Sequence, residues 1–359
     1  MTTTATTTST TATARPALRH APLGDLTLVS GEVLLGVQVA HRIHGDLAAG
    51  RPVVVLPTYY TGSTTSYDPW IGPGRPLDPA RCTVVVVGHL GGGESTSPST
   101  TPATARFPRL DVRDTVAATE LLLDHLGVDR VALVAGWSLA GVQALELAAR
   151  WGERVDAVLA LCSAARCSPA NRLFLESVGA VLASDGRVVD SHPTDPTHPS
   201  PARPEGRDAF GRAYCGWAWS EAFLDDELYR ELGYDDVTDL VAAWGRDHTA
   251  HDADDLLVTL RMWHAADLGR GRGGLAPALA SITARTLLVP GTTDRYFTLA
   301  ENKREAAHLP RGELRPLDSP LGHVAGRPGV RAAEQDLVDH ALRTLLGTPA
   351  PSREKETSR

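Results

Sequence analysis

Short apolar runs that do not alternate with polar residues constrain this chain more than any other feature. They are RPVVVLPT (51–58), CTVVVVG (82–88), RVALVAG (130–136), VDAVLALCS (155–163) and ARTLLVPG (284–291), preceded by the longer GEVLLGVQVAHRIHG (31–45). A strand with one face in water alternates apolar and polar residues, whereas a strand covered on both faces reads as continuously apolar. Amphipathic stretches lie between the runs. In DVRDTVAATELLLDHLGV (111–128), Val112, Val116, Thr119, Leu122 and Leu123 share one helical face, with Asp111 at the start and Gly127 at the end. Strands alternating with helices predict an α/β fold built on a mostly parallel sheet. The 359 residues, 42% of them hydrophobic, suffice for one large core with an insertion.

The rhythm breaks after Ser163. From Asn171 to Arg272 no strand run appears, only helical patches such as SEAFLDDELYRELG (220–233) and DDLLVTLRMWHAADLG (254–269), around a Pro/His/Ser-rich loop at 188–206. The expected organisation is a core of residues 23–170 and 273–348 with a helical lid inserted at 171–272. A Thr/Ala-rich leader (1–22) and a polar tail (349–359) are expected to lack fixed structure. The leader has no apolar segment of the kind a signal peptide needs.

Charge and composition remove several function classes. The formal net charge is −8 and no basic stripe occurs, which argues against nucleic acid as a partner. No apolar run approaches the roughly 20 residues that cross a bilayer. Cys82, Cys162, Cys167 and Cys215 form no Cys-x-x-Cys pair and no disulfide framework, so a reducing, cytoplasmic compartment is expected. GHLGGGES (88–95) lacks the spacing of a phosphate cradle and reads as a turn. HTAHDADD (248–255) lacks a defined metal-ligand spacing and reads as a solvated helix face, so no metal is expected.

The chemistry concentrates in VALVAGWSLAG (131–141). A strand ends, Ser138 follows between small residues, and a helix begins. A tight turn of this kind lifts a serine hydroxyl out of the backbone. It also aims the N–H of Leu139 and the helix N-terminus at a developing oxyanion. A serine capping an ordinary helix would give a similar string. A nucleophilic serine needs a base and a group that orients the base. Downstream, Asp294 lies just past the run 284–291, and His323 lies in LDSPLGHVAGRPG (317–329), in the order Ser, Asp, His of the nucleophile-elbow enzymes. Asp318 competes for the acid role, but its closeness in sequence to His323 favours Asp294. The loop TYYTGSTTSYDPW (58–70) should give the second oxyanion donor. The backbone N–H of Tyr60 is the candidate, although its ring would equally serve packing.

With these residues in place, the chain resembles the homoserine O-acetyltransferase-like proteins. IGPGRPLDPARC (71–82) and GGGESTSPS (91–99) carry most of the likeness. The segment 106–141, ARCSPANRLFLE (165–176), TDRYF (293–297) and LGH (321–323) extend it over roughly 31–345. The resemblance implies an α/β-hydrolase fold with a helical lid, and a triad of Ser138, Asp294 and His323. It also implies an acyl-enzyme formed from acyl-CoA as co-substrate, with no tightly bound cofactor, and discharged onto a small alcohol. Trp137, Arg166 and Val324 are expected around the substrate. A homodimer stays open as the assembly.

Two departures set this chain apart within that resemblance. The homoserine enzymes carry Gly-Gly-Ser-Met-Gly-Gly at the elbow, where this chain has GWSLAG. They also place Asp directly after the catalytic histidine, where this chain has Val324. A substrate ammonium beside valine loses a charge-assisted hydrogen bond worth ~1.5–3 kcal/mol. The expected activity is therefore O-acyl transfer through Ser138 to an alcohol other than homoserine. Ester hydrolysis with the same triad is the alternative, and a non-catalytic binding protein on the same fold is the third reading.

Overall fold

A computed structural model describes residues 15–102, 106–183 and 204–347. Eight strands form one sheet: β1 (Arg19–Thr27), β2 (Val33–His44), β3 (Val53–Pro57), β4 (Thr83–Val87), β5 (Leu133–Trp137), β6 (Ala157–Leu161), β7 (Arg285–Val289) and β8 (Gly312–Leu314). Their order is β1-β2-β4-β3-β5-β6-β7-β8. The pairs β1/β2 and β2/β4 are antiparallel, and every pair from β3 to β8 is parallel. The central strands are buried along their whole length, as continuous apolar runs require. Each fully buried Val or Leu contributes about 1.5–3 kcal/mol relative to exposure.

Ten α-helices accompany the sheet among the described residues: α1 (Val112–His125), α2 (Leu139–Trp151), α3 (Pro169–Ala183), α4 (Pro204–Ala218), α5 (Glu221–Asp225), α6 (Val237–Thr249), α7 (Ala253–His264), α8 (Leu275–Ala280), α9 (Leu299–Ala306) and α10 (Ala332–Leu346). Asp111 caps α1 in a capping box with Asp114, and the buried side of α1 includes Val112, Val116, Thr119, Leu122 and Leu123. Helices α3 to α7 interrupt the sheet between β6 and β7, as the strand-free stretch predicts. Aromatic rings of this insertion pack on one another and on the loop after β7. Trp219 stacks on Phe223 with centroids 4.0 Å apart, and Phe174 stacks on Tyr296 at 4.3 Å.

Two boundaries differ from the sequence reading, and one strand went unread. Residues 19–22, assigned to the leader, belong to β1, which pairs with β2 from Arg19 onward. β1 is a polar edge strand with register breaks around Gly24, so it carries no apolar run. The helical insertion begins at Pro169, slightly before the expected boundary. β8 spans three residues, too few to show a pattern. The rest of the leader to residue 14, the polar tail, and most of the Pro/His/Ser-rich loop lie outside the described residues. No described helix is long and apolar enough to cross a membrane.

Candidate active site

β5 delivers Trp137 at its end, and Ser138 turns the chain into α2 with φ 59° and ψ −130°. That backbone is strained for a non-glycine residue, a cost on the order of 1–3 kcal/mol that surrounding structure must hold in place. The small neighbours explain how. A Cβ at Gly136 would lie 2.4 Å from the carbonyl carbon of Ala140, and one at Gly141 would lie 2.6 Å from Cβ of Ser163. The turn closes only because both are glycine and Ala140 is short.

The acid and the base arrive from the other side. β7 ends at Val289, and the following loop carries Asp294. His323 sits in a short 3-10 turn, Gly322–Gly326. Thr293 ties the two loops, donating to the Ser319 carbonyl (2.7 Å) and accepting from the Gly322 N–H (3.0 Å). Asp294 Oδ1 accepts the backbone N–H groups of Tyr296 (2.7 Å) and Phe297 (3.2 Å). Its Oδ2 lies 2.8 Å from His323 Nδ1, and His323 Nε2 lies 2.9 Å from Ser138 Oγ. The carboxylate only accepts, so Nδ1 carries the proton and Nε2 presents its lone pair to the serine hydroxyl. All three residues are buried, Ser138 at 3%, His323 at 4% and Asp294 at 5% exposure. Asp318, the competing acid, is exposed and accepts from Thr292 Oγ1 instead.

The two expected oxyanion donors are both without a backbone partner among the described residues. Leu139 opens α2, and neither its N–H nor that of Tyr60 has a protein acceptor among the described residues. Gln143 on α2 reaches the Thr58 carbonyl (2.9 Å) and the Leu139 carbonyl (3.4 Å), linking the two loops. The Thr58 hydroxyl accepts the His89 N–H and lies 2.6 Å from His89 Nδ1. Burial pushes the His89 imidazole down to about 4, so it stays neutral near pH 7. The Tyr60 ring packs in the cover: its hydroxyl donates to the Leu256 carbonyl, and it stacks on Tyr214.

The α/β-hydrolase fold family matches residues 51–204. An ethyl acetate hydrolase of Pseudomonas veronii is 30% identical over 342 residues, covering 91% of this chain and 95% of that protein. A homoserine O-acetyltransferase of Thermobifida fusca is 32% identical over 332 residues, covering 83% and 86%. The chain belongs to the homoserine O-acetyltransferase-like family of α/β-hydrolases. A solved acetyl esterase structure superposes on it with a TM-score of 0.86 at 29% identity, covering 93% of this chain and 98% of that one.

The residues expected around the substrate of this α/β-hydrolase meet different fates. Val324 is buried directly beside His323, with no carboxylate at that position. Trp137 stands beside the serine, and its indole turns to His323. Nε1 donates to the His323 carbonyl at 3.1 Å, and the rings stack with centroids 5.1 Å apart. Arg166 has an exposed side chain, its backbone bridges to Asp267, and no described contact links it to Ser138 or His323. The segment 248–255 is corrected. His251, Asp252 and Asp255 line a cavity of about 290 Å³ together with Tyr60, Gly93 and Ser99. Asp255 accepts the Ser99 N–H (3.0 Å) and hydroxyl (2.5 Å), and burial pushes its carboxyl up to about 6.

Two groups escaped the sequence reading. Asn171 on α3 donates to the Tyr296 carbonyl at 2.6 Å, fastening the cover to the acid loop. Ser220 bonds the Pro320 carbonyl and fastens it to the histidine loop. Asn171 lies within the stretch 165–176 that carries part of the resemblance, but each partner is distant in sequence, so no local signal marked the contact.

Proposed function

We propose that this α/β-hydrolase transfers a short acyl group through a Ser138 acyl-enzyme onto a small acceptor hydroxyl, with homoserine a poor acceptor. The observation that carries the reading is His323 bridging Ser138 and Asp294 at 2.9 and 2.8 Å. Ser138 Oγ attacks the acyl carbonyl while His323 Nε2 takes its proton. The oxyanion of the tetrahedral intermediate is stabilised by the N–H groups of Leu139 and Tyr60 and by the N-terminus of α2. The leaving alcohol or thiol departs with the proton from His323, and the acyl group stays on Ser138. In the second half His323 deprotonates the acceptor hydroxyl, which takes the acyl group and frees the serine. Asp294 holds the imidazole tautomer and offsets its charge.

The acceptor separates two readings. In the first it is a small alcohol without an ammonium group, because Val324 leaves a substrate cation without a counter-charge there. The acyl donor is then an ester or an acyl-CoA. In the second it is water, a reading supported by the activities of the similar ethyl acetate hydrolase and acetyl esterase. Four buried, unpaired cysteines suit a reducing, cytoplasmic setting for either.

The test follows acyl turnover from 4-nitrophenyl acetate and from acetyl-CoA, alone and with L-homoserine or uncharged alcohols. Products are measured by mass spectrometry. The expected result is acetylated neutral alcohol, or acetate, with little O-acetylhomoserine. Saturable, efficient formation of O-acetylhomoserine would overturn the reading of Val324.

A further inference from the structure

Trp137 occupies the position between strand and nucleophile, yet its longest-range contact reaches across 186 residues to the base. Three contacts define it. Its indole N–H donates to the His323 carbonyl at 3.1 Å. Its ring lies over the His323 imidazole, with centroids 5.1 Å apart and planes inclined by 26°. Tyr59 meets it edge-on from its own loop at 4.6 Å and 71°. The turn that carries His323 is fitted to the same ring: a Cβ at Gly326 would lie 2.6 Å from Trp137 Cδ1. Only 8% of Trp137 is exposed, so little of it faces a bound molecule.

We propose that Trp137 is a positioning residue for His323. Its N–H fixes the backbone of the histidine turn, and its ring face steadies the imidazole as it becomes imidazolium. Two physical effects combine. A fixed carbonyl keeps Nδ1 on Asp294 and Nε2 on Ser138, which a loop residue could otherwise leave by an ångström at large cost in rate. An electron-rich indole face attracts a cation above it, so the stack strengthens at the moment His323 takes the serine proton. Both act on the transition state more than on bound substrate, so the effect falls on kcat.

This inference rests on the Ser138 acyl-enzyme reading, and the experiment separates the two. Wild type, Trp137→Phe and Trp137→Leu are compared in three measurements. The first is the rate of Ser138 labelling by a phosphonate ester, read by intact mass. The second is kcat and KM on 4-nitrophenyl acetate. The third is the far-downfield proton resonance of His323 Nδ1–H, assigned by its loss in His323→Ala. Trp137→Leu should label and turn over about 10-fold to 100-fold more slowly, with KM changed less than about 3-fold and the resonance broadened. Trp137→Phe keeps a ring face without the N–H. It should recover part of kcat, within about 10-fold of wild type, and keep the resonance.

A rise in KM at unchanged kcat, with the resonance intact, would overturn the inference and make Trp137 a wall of the substrate pocket. Equal loss in both variants would overturn the role of the ring face. If Trp137→Leu does not fold, the Trp137→Phe comparison still decides the role of the N–H. Absence of Ser138 labelling in the wild type would instead sink the acyl-enzyme reading beneath it.

Discussion

Ser138 and Phe174 are both buried, and for opposite reasons. Ser138 is fixed by backbone: a positive φ, glycine contacts on both sides, and a helix N-terminus that begins at the next residue. Phe174 is fixed by other side chains. Its ring meets Tyr214 at 5.1 Å, Trp217 at 5.4 Å, Trp263 at 5.9 Å and Tyr296 at 4.3 Å, on two other helices and a loop. The sheet end therefore encodes its geometry locally, in a string of about six residues, as nucleophile elbows do. The helical cover encodes its geometry in the fit of distant rings, where volume and shape matter more than residue identity. The chemistry should then depend steeply on single atoms at the sheet end, and the cover should act through how it seats the two loops.

The largest expected effect tests the first half of that contrast. Ser138→Ala should lower acyl turnover by roughly 10³–10⁶-fold, the range seen when a triad member acts within a unit. The strained φ and the glycine contacts do not involve the hydroxyl, so circular dichroism and the unfolding midpoint should stay near wild type. Substantial turnover in this variant would mean that the elbow is only a helix start.

Next in size is the acid. Asp294→Asn keeps the shape but allows the wrong tautomer at His323, at a cost of about 10⁴-fold in kcat. Asp318→Asn should leave kcat near wild type, because Asp318 is exposed and bonds Thr292 rather than the imidazole. The reverse ranking, measured on the same ester, would move the orienting role to the surface loop and undo the local encoding of the site.

The same contrast explains what was legible in the sequence. Ser138, Asp294 and His323 could be read because each follows a strand run or a recognisable loop, and chain order adds a constraint. The buried strands could be read because burial on both faces removes alternation. β1 escaped because Pro22, Gly24 and its exposed positions break any apolar pattern on an edge strand. The role of Trp137 escaped because a tryptophan after a strand is equally a pocket wall or a platform, and only its distant partner decides. The cavity at 248–255 could not be foreseen, because its other walls come from the loops after β3 and β4.

The smallest expected effect lies at the joint between the two regions. Glu305 on α9 is buried, and both its oxygens lie 3.0 Å from the N–H of Ala165, just before the chain enters the cover. Burial pushes its carboxyl up to about 8 from an ordinary 4.5. The Ala165 bond opposes the rise, Glu301 adds to it, and Arg166 and Arg304 oppose it. The folded protein thus holds this proton at pH values where the unfolded chain has released it. Stability from this group is then fully present below the unfolded value, declines as pH rises through the window from 4.5 to about 8, and levels off above. The decline should be on the order of a few kcal/mol, and Glu305→Gln should remove it by keeping an uncharged acceptor for Ala165. Urea unfolding of both proteins at about pH 5, 6.5 and 8 measures it. The wild-type curve should fall away from the variant's toward alkaline pH, with the two closest at acid pH. Parallel curves would show that Glu305 does not carry the dependence, and that the joint is held by Asn302, which bonds the Ser163 carbonyl at 2.9 Å, and by the surrounding packing.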